Sequence, residues 1–231
     1  MFIKIICLSL THRPVDLGRA AVGALTKVAG LCKVEVHRVL RHIPSDSVPD
    51  NQAHRGVVPQ ADHIDFILEL YFNEAQEAKA VSQSQGWIEF LQKIGQASSI
   101  LFILDTESNV PIEPKGSAMR GGFRRWMLLA RRAKTQREFR NAWFGRHADL
   151  VKKLPSVEGY LQNLVVARYN AQGQAADYEA LTIDAVAELC FADEAAMHFC
   201  YTSPARLPLR DDGRELLGRI TTVLVQSEVF L

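Results

Sequence analysis

Ile64-Asp65-Phe66-Ile67-Leu68-Glu69-Leu70-Tyr71-Phe72 and Ile183-Asp184-Ala185-Val186-Ala187-Glu188-Leu189-Cys190-Phe191 share one pattern, I-D-x-x-x-E-L-x-F. They lie 119 residues apart (Asp65 to Asp184), and a helical stretch follows each. The same offset carries Leu10 to Leu129, Arg13 to Arg132 and Leu31 to Leu150. It also sets Asp16 on Thr135, and both residue types cap helix N-termini well. Several matches at one offset, spread over about half the chain, mark an internal duplication.

Working outward from these two strands, each copy reads in the same order. In the first, Phe2 to Leu10, Lys33 to Arg41, His63 to Phe72 and Ser98 to Asp105 read as strands. Helices are expected from Asp16 to about Gly30 and from Asn73 to about Ile94. In the second, the strands are Phe123 to Arg131, Glu158 to Tyr169, Thr182 to Phe191 and Ile220 to Phe230. Thr135-Gln136-Arg137-Glu138 is a capping box that opens a helix ending before Pro155, and Ala192 to about Thr202 is also helical. The expected fold class is α+β: tandem ferredoxin-like β-α-β-β-α-β repeats, each an antiparallel sheet with its helices on one face. The other sheet face needs cover. Packing the two sheets together, as aligned layers sharing a core, gives a dimeric-type α/β barrel within one chain. The expected division is 1–105 for a degenerate first repeat, 106–122 for a linker rich in Pro and Gly, and 123–231 for the second.

Composition narrows the partners. The 231 residues carry a formal net charge of +1, which gives no reason to expect nucleic acid or an anionic membrane. Arg124, Arg125, Arg131, Arg132 and Arg137 cluster locally and are expected at solvated strand ends. No stretch approaches the ~18 apolar residues of a membrane span. Cys7, Cys32, Cys190 and Cys200 lack CxxC spacing and sit in or beside apolar runs, so they read as small core residues of a cytoplasmic protein. No phosphate-binding loop, dinucleotide fingerprint, HExxH or GxSxG motif is present, so no metal or nucleotide site is expected.

The second copy resembles the EthD family of the dimeric α/β-barrel superfamily. The resemblance rests on Phe139, Trp143, Arg146-His147-Ala148 and Val151-Lys152-Lys153-Leu154-Pro155. It continues through Gly159-Tyr160-Leu161-Gln162-Asn163, Asp184 and the Ala187 to Phe191 strand. Members of the family usually dimerise to pair their sheets. Relatives include cofactor-free monooxygenases, lactone isomerases, and cyclases or dehydratases of polyketide pathways.

His147 is the leading catalytic candidate. Phe139, Trp143, His147, Leu150 and Leu154 recur at helical spacing, which turns His147 toward the sheet. An imidazole in an apolar cleft moves protons in either direction near neutrality, and the resemblance places the family's histidine here as well. The plainer alternative is a core histidine satisfied by one neighbour. The offset maps His147 onto Val28 and Trp143 onto Ala24, so any chemistry belongs to the second copy. Tyr160 and Gln162 share a strand face and are candidates to orient a substrate oxygen or act as an acid. Asp184 is a candidate to hold the His147 tautomer, with Glu188 on the same strand face. Their recurrence as Asp65 and Glu69 favours a structural role. Arg131 is a candidate to polarise a carbonyl, and Trp126 and Trp143 are candidate pocket walls. His54 and His63 flank the long connection from Ile43 to Asp62, a length that suggests either cover over a site or a surface loop.

Together these imply a cofactor-independent enzyme acting on a small apolar, aromatic, lactone or polyketide-like metabolite by proton transfer, as an isomerase, dehydratase or decarboxylase. A cofactor-free monooxygenase on the same scaffold is the first alternative. A haem protein with His147 as axial ligand and a non-catalytic binding module are the others. A further homodimer through an exposed edge or helix face stays open.

Overall fold

A computed structural model describes residues 1–10, 16–25, 28, 30–44, 56–95, 98–132 and 135–230. Arg13 and His54, named above, lie outside them. The strands are β1 (Phe2–Leu10), β2 (Leu31–Ile43), β3 (Phe66–Phe72), β4 (Ser98–Ile112), β5 (Gly121–Arg131), β6 (Gly159–Tyr169), β7 (Ala185–Phe191) and β8 (Leu217–Val229). The helices are α1 (Leu17–Leu25), α2 (Ala75–Ala80), α3 (Gln85–Ile94), α4 (Gln136–Ala142), α5 (Ala148–Val151), α6 (Glu194–Thr202) and α7 (Arg206–Leu216).

All eight strands form one closed antiparallel barrel in the order β1-β3-β2-β8-β5-β7-β6-β4. The first four strands thus run β4-β1-β3-β2 and the last four β6-β7-β5-β8. The two sheets do not lie face to face as separate aligned layers. They join edge to edge, through β2 with β8 and β4 with β6. Closure removes the two unpaired edges that a sandwich would leave. It also explains why β4 overruns its expected end. Thr106 to Ile112, read as the start of the linker, pair with β6 from Val165 to Tyr160.

Side chains alternate between the barrel interior and its outer surface. Ile3, Ile5, Cys7, Trp126, Leu128, Val165 and Val223 fill the interior, and Val57, Val58 and Ala61 pack onto the same cluster. The end of the long connection after β2 is therefore buried, while His63 is exposed. Outside the barrel, α1 to α3 bury Leu8, Leu25, Leu68, Trp87 and Phe90 against the first four strands. The second set of helices buries Met127, Leu129, Phe139, Trp143 and Leu189 against the last four. Because both faces are covered, strands such as β7 are buried at every position. Cys7, Cys190 and Cys200 are buried as expected of core residues, but Cys32 is exposed. Among the described residues no helix is long and apolar enough to cross a membrane.

Candidate active site

The site lies between the outer surface of the last four strands and the helices that cover it. Thr135 opens the helical run as expected: its Oγ1 accepts from the Glu138 amide at 3.3 Å, and the Glu138 carboxylate accepts from the Thr135 amide at 2.9 Å. The run is not a uniform α-helix. After α4 the chain makes a π-helical turn, Trp143–His147, before continuing as α5. The wider turn shifts the register after His147, so Ala148 and Val151 are buried where regular spacing favoured Leu150, which is only half-buried. The Gln162 amide of β6 donates to the Trp143 carbonyl at 2.6 Å, tying this turn to the barrel.

His147 borders a small cavity of about 40 Å3 walled by Met127, Leu129, Val151, Tyr160, Leu189 and Leu209, with Tyr201 and Arg206 at its polar side. Its Nδ1 lies 2.7 Å from Oδ2 of Asp212 on α7. The Asp212 carboxylate is 5% exposed and also receives the Arg146 guanidinium at 2.5 Å. A carboxylate on Nδ1 fixes the imidazole's orientation and leaves Nε2 as the nitrogen available to a ligand. The tautomer-holding role expected of Asp184 therefore falls to Asp212.

Tyr160 and Gln162 do come together, with the Gln162 amide donating to the Tyr160 hydroxyl at 3.0 Å. Burial pushes the Tyr160 phenol well above its ordinary value, outweighing that hydrogen bond, so the group stays protonated and serves as a neutral dipole. Trp143 is fully buried and stacks on Phe139 at 5.5 Å, a core contact.

The remaining candidates lie elsewhere. Asp184, fully buried, accepts the Arg131 amide at 2.8 Å and pairs with the Arg131 guanidinium, which stacks over Tyr178. Asp65 accepts the Leu10 amide at the same distance, 2.8 Å, so both aspartates tie off strand ends. Glu188 and Trp126 point into the barrel. There Arg124 bridges Glu35 and Glu188, Trp126 donates to Glu69 at 3.1 Å, and Tyr71 donates to both Glu35 and Glu69. Arg124 and Arg125 are 1% and 6% exposed, which overturns their expected place at solvated strand ends. The alternation of β5 sends Arg124 inward and Arg125 toward the helices, and both are trapped between layers.

Within this network Glu35, His37 and Glu69 bring possible metal-ligating atoms within 4.8 Å of one another. Burial works against a charge on His37, but Glu69 raises its affinity for a proton. Arg124 and Lys33 already bring positive charge to Glu35, the place a cation would take. The cluster is thus a buried ion network of the chain's own groups. A porphyrin does not fit beside His147 either: the cavity holds little more than a few waters.

Three residues of the site escaped the sequence reading: Asp212, Arg206 and Tyr201. The first two sit on α7, in a stretch where Pro204, Pro208 and Gly213 resemble a loop. Pro208 falls in the first turn of α7, where no backbone donor is lost.

No curated protein matches the sequence. Among solved structures, an anthrone oxidase-like protein superposes with a TM-score of 0.63 at 11% identity, covering 99% of this chain and 93% of its own. A "putative monooxygenase" from Lactobacillus acidophilus gives 0.60 at 9% identity, covering 98% and 93%. A dye-decolorizing peroxidase from Bacteroides thetaiotaomicron gives 0.53 at 7% identity, covering 98% and 92%. At such identities these similarities speak for the fold alone: a mixed α+β chain closed into an eight-stranded antiparallel barrel. Residues 131–218 match the model of the EthD domain family, a span that runs from Arg131 through His147, Tyr160, Arg206 and Asp212 and so takes in the residues of this site.

Proposed function

We propose that this protein is an enzyme that moves a proton to or from carbon beside a carbonyl group of a small, largely apolar metabolite. His147 is the acid/base. The observation that carries this reading is the 2.7 Å contact between His147 Nδ1 and Asp212, at the wall of an otherwise apolar cavity. Asp212 orients the ring and stabilises the imidazolium formed when Nε2 takes a proton. Apolar walls keep water from competing for the carbanion, and the neutral Tyr160 hydroxyl offers a dipole to the carbonyl oxygen. The narrow cavity suits a reacting group; the rest of a larger substrate would lie toward its mouth. Isomerisation, dehydration and decarboxylation all use this step.

The test is solvent-deuterium incorporation, followed by NMR, across a panel of small ketones, lactones and hydroxy-aromatics. Wild-type protein should exchange at least one of them, and Asp212→Asn should slow that exchange about 100- to 10,000-fold without unfolding the chain. Equal rates for wild type and Asp212→Asn would remove the dyad from the mechanism.

Cofactor-free monooxygenation is the second reading. It is supported by the names of two proteins with this fold, the anthrone oxidase-like protein and the Lactobacillus acidophilus protein. It begins with the same proton removal, after which dioxygen takes up the carbanion's electrons. Oxygen consumption that depends on His147 separates it from simple isomerisation. We also infer that the two halves are copies of one ferredoxin-like unit. Their matching strand orders and the 119-residue sequence offset (Asp65 to Asp184) support this.

A further inference from the structure

Gln162 is fully buried on β6, and its amide makes three contacts whose directions cannot be exchanged. The Trp143 carbonyl, 2.6 Å away, can only accept, so the amide nitrogen must face it. The amide oxygen then faces Asn109 of β4, which donates to it at 2.8 Å across the β4–β6 pairing. The second amide hydrogen goes to the Tyr160 hydroxyl at 3.0 Å.

A phenol has one proton and two lone pairs. Gln162 occupies a lone pair of Tyr160, so the Tyr160 proton cannot point that way. Burial raises the phenol's pKa, and Gln162 and the Trp143 side chain both work against it by favouring negative charge on that oxygen. The buried Trp143 indole N–H has no full hydrogen bond of its own among the described residues. None of the described residues accepts the Tyr160 proton either. Tyr160 is 1% exposed and lines the cavity that His147 borders. A buried donor without an acceptor is costly, and a ligand in that cavity can supply one.

We propose that Gln162 is a positioning residue of this site: it makes the Tyr160 hydroxyl a one-way donor into the cavity, set for the carbonyl oxygen of the substrate. This rests on the proton-transfer reading above and deepens it. As His147 takes a proton from carbon, negative charge gathers on the carbonyl oxygen, and a donor already turned toward it needs no reorganisation. Tyr160 keeps its proton throughout and holds the enolate oxygen by a hydrogen bond. The first half of the chain takes part as well, because β4 runs on far enough for Asn109 to fix the Gln162 oxygen.

The first measurement is Raman scattering from the full-length chain without substrate. The intensity ratio of the tyrosine doublet differs between a hydroxyl that accepts and one that donates, and subtracting the Tyr160→Phe spectrum isolates Tyr160. Wild type should show an accepting hydroxyl. Gln162→Met, similar in length but without an N–H, should move the ratio toward that of a donor. Should that variant fail to fold, Gln162→Glu takes its place, and a donating Tyr160 in wild type overturns the proposal without any variant of Gln162. On a substrate that exchanges, Tyr160→Phe should lower kcat about 100- to 1,000-fold and Gln162→Met about 10- to 100-fold, each with KM within about threefold. In the Tyr160→Phe background, Gln162→Met should change kcat by less than about twofold, because it acts through that hydroxyl. Equal losses in both backgrounds would make Gln162 a mere tether of the π turn and overturn the proposal. A Gln162-dependent accepting hydroxyl with no exchange on any substrate would sink the proton-transfer reading and leave the Tyr160 orientation standing. Exchange that needs His147 but ignores Gln162 would do the reverse.

Discussion

The outer layers of the two halves start from corresponding sequence and end differently. In the second half, the helical run passes through a π turn that carries Trp143 and His147 inward, and α7 closes over them with Asp212 and Arg206. In the first half, the positions at the 119-residue offset are Ala24 and Val28. The described part of α1 stops at Leu25, and Val28 lies in a turn beyond it. Ala24, Val28, Gly23 and Gly86 leave an open groove of about 600 Å3 beside α2 and α3. A large open groove lined by Glu77 and Glu89 but, among the described residues, by no histidine is a weaker active-site candidate than a tight cavity with a histidine–carboxylate pair. Volume and chemistry part company here.

The largest effect should come from exchanging the contents of the two positions. His147→Ala should abolish proton exchange, a loss of about 100- to 10,000-fold, with the thermal midpoint little changed. Val28→His, tested by the same NMR assay, should create no activity, because the carboxylates that line the first-half groove are already engaged, Glu77 by the Glu74 amide and Glu89 by Gln85. Activity in Val28→His,His147→Ala would break the comparison.

Next in size is the barrel interior, which both halves share. Arg124→Met should cost about 3–5 kcal/mol in urea unfolding, because it strands the buried Glu188 and leaves Glu35 with only Lys33 as a cationic partner. A cost under about 1 kcal/mol would mean that the carboxylates simply take up protons.

The pH dependence of stability reports the same interior. Burial, reinforced by Glu69 and opposed by Arg124, pushes the Glu188 carboxyl up to about 7. The folded state then holds a proton that an unfolded glutamate has released by about pH 4.5. This contribution is full below about 4.5 and is lost as pH rises through about 7. For Glu69, burial alone would raise the carboxyl, but His37, Tyr71 and Arg124 together bring it down to about 2. Its contribution is present above about 4.5 and is lost on acidification toward about 2. The thermal midpoint should therefore fall between pH 5 and 8, and Glu188→Gln should flatten that decline. An unchanged slope in Glu188→Gln would place the effect elsewhere. The smallest effect is at the helix entrance: Thr135→Ala removes the capping box and should cost about 1 kcal/mol by the same urea assay.

Much of this was legible in the chain before any fold was drawn. Strand β7 and its counterpart β3 announced themselves by a shared pattern, and Thr135 with Glu138 announced the start of α4. Local signals of this kind need only neighbours in sequence. Tyr160 and Gln162 were likewise readable, because alternation on one strand places them side by side. For Asp184 the sequence offered two roles, and its recurrence as Asp65 favoured the structural one that the contacts show. A carboxylate on the right strand face looks like a partner for His147, but Arg131 reaches it first. Asp212 gave no signal at all, since Asp211-Asp212-Gly213-Arg214 has the composition of a solvated turn.

The sequence by itself determined the strand alternation and the start of α4, and it is the source of the proposals that the halves are copies and that His147 is the acid/base. These depend on residue type and spacing along one chain. Tertiary structure alone decided that the two sheets close edge to edge, that Arg124 is balanced inside the barrel, and that Asp212 meets His147. Each of those joins residues far apart in sequence: Arg124 to Glu35 across 89 positions, His147 to Asp212 across 65. Such contacts are set by which faces must be buried together, and one-dimensional spacing carries no record of that.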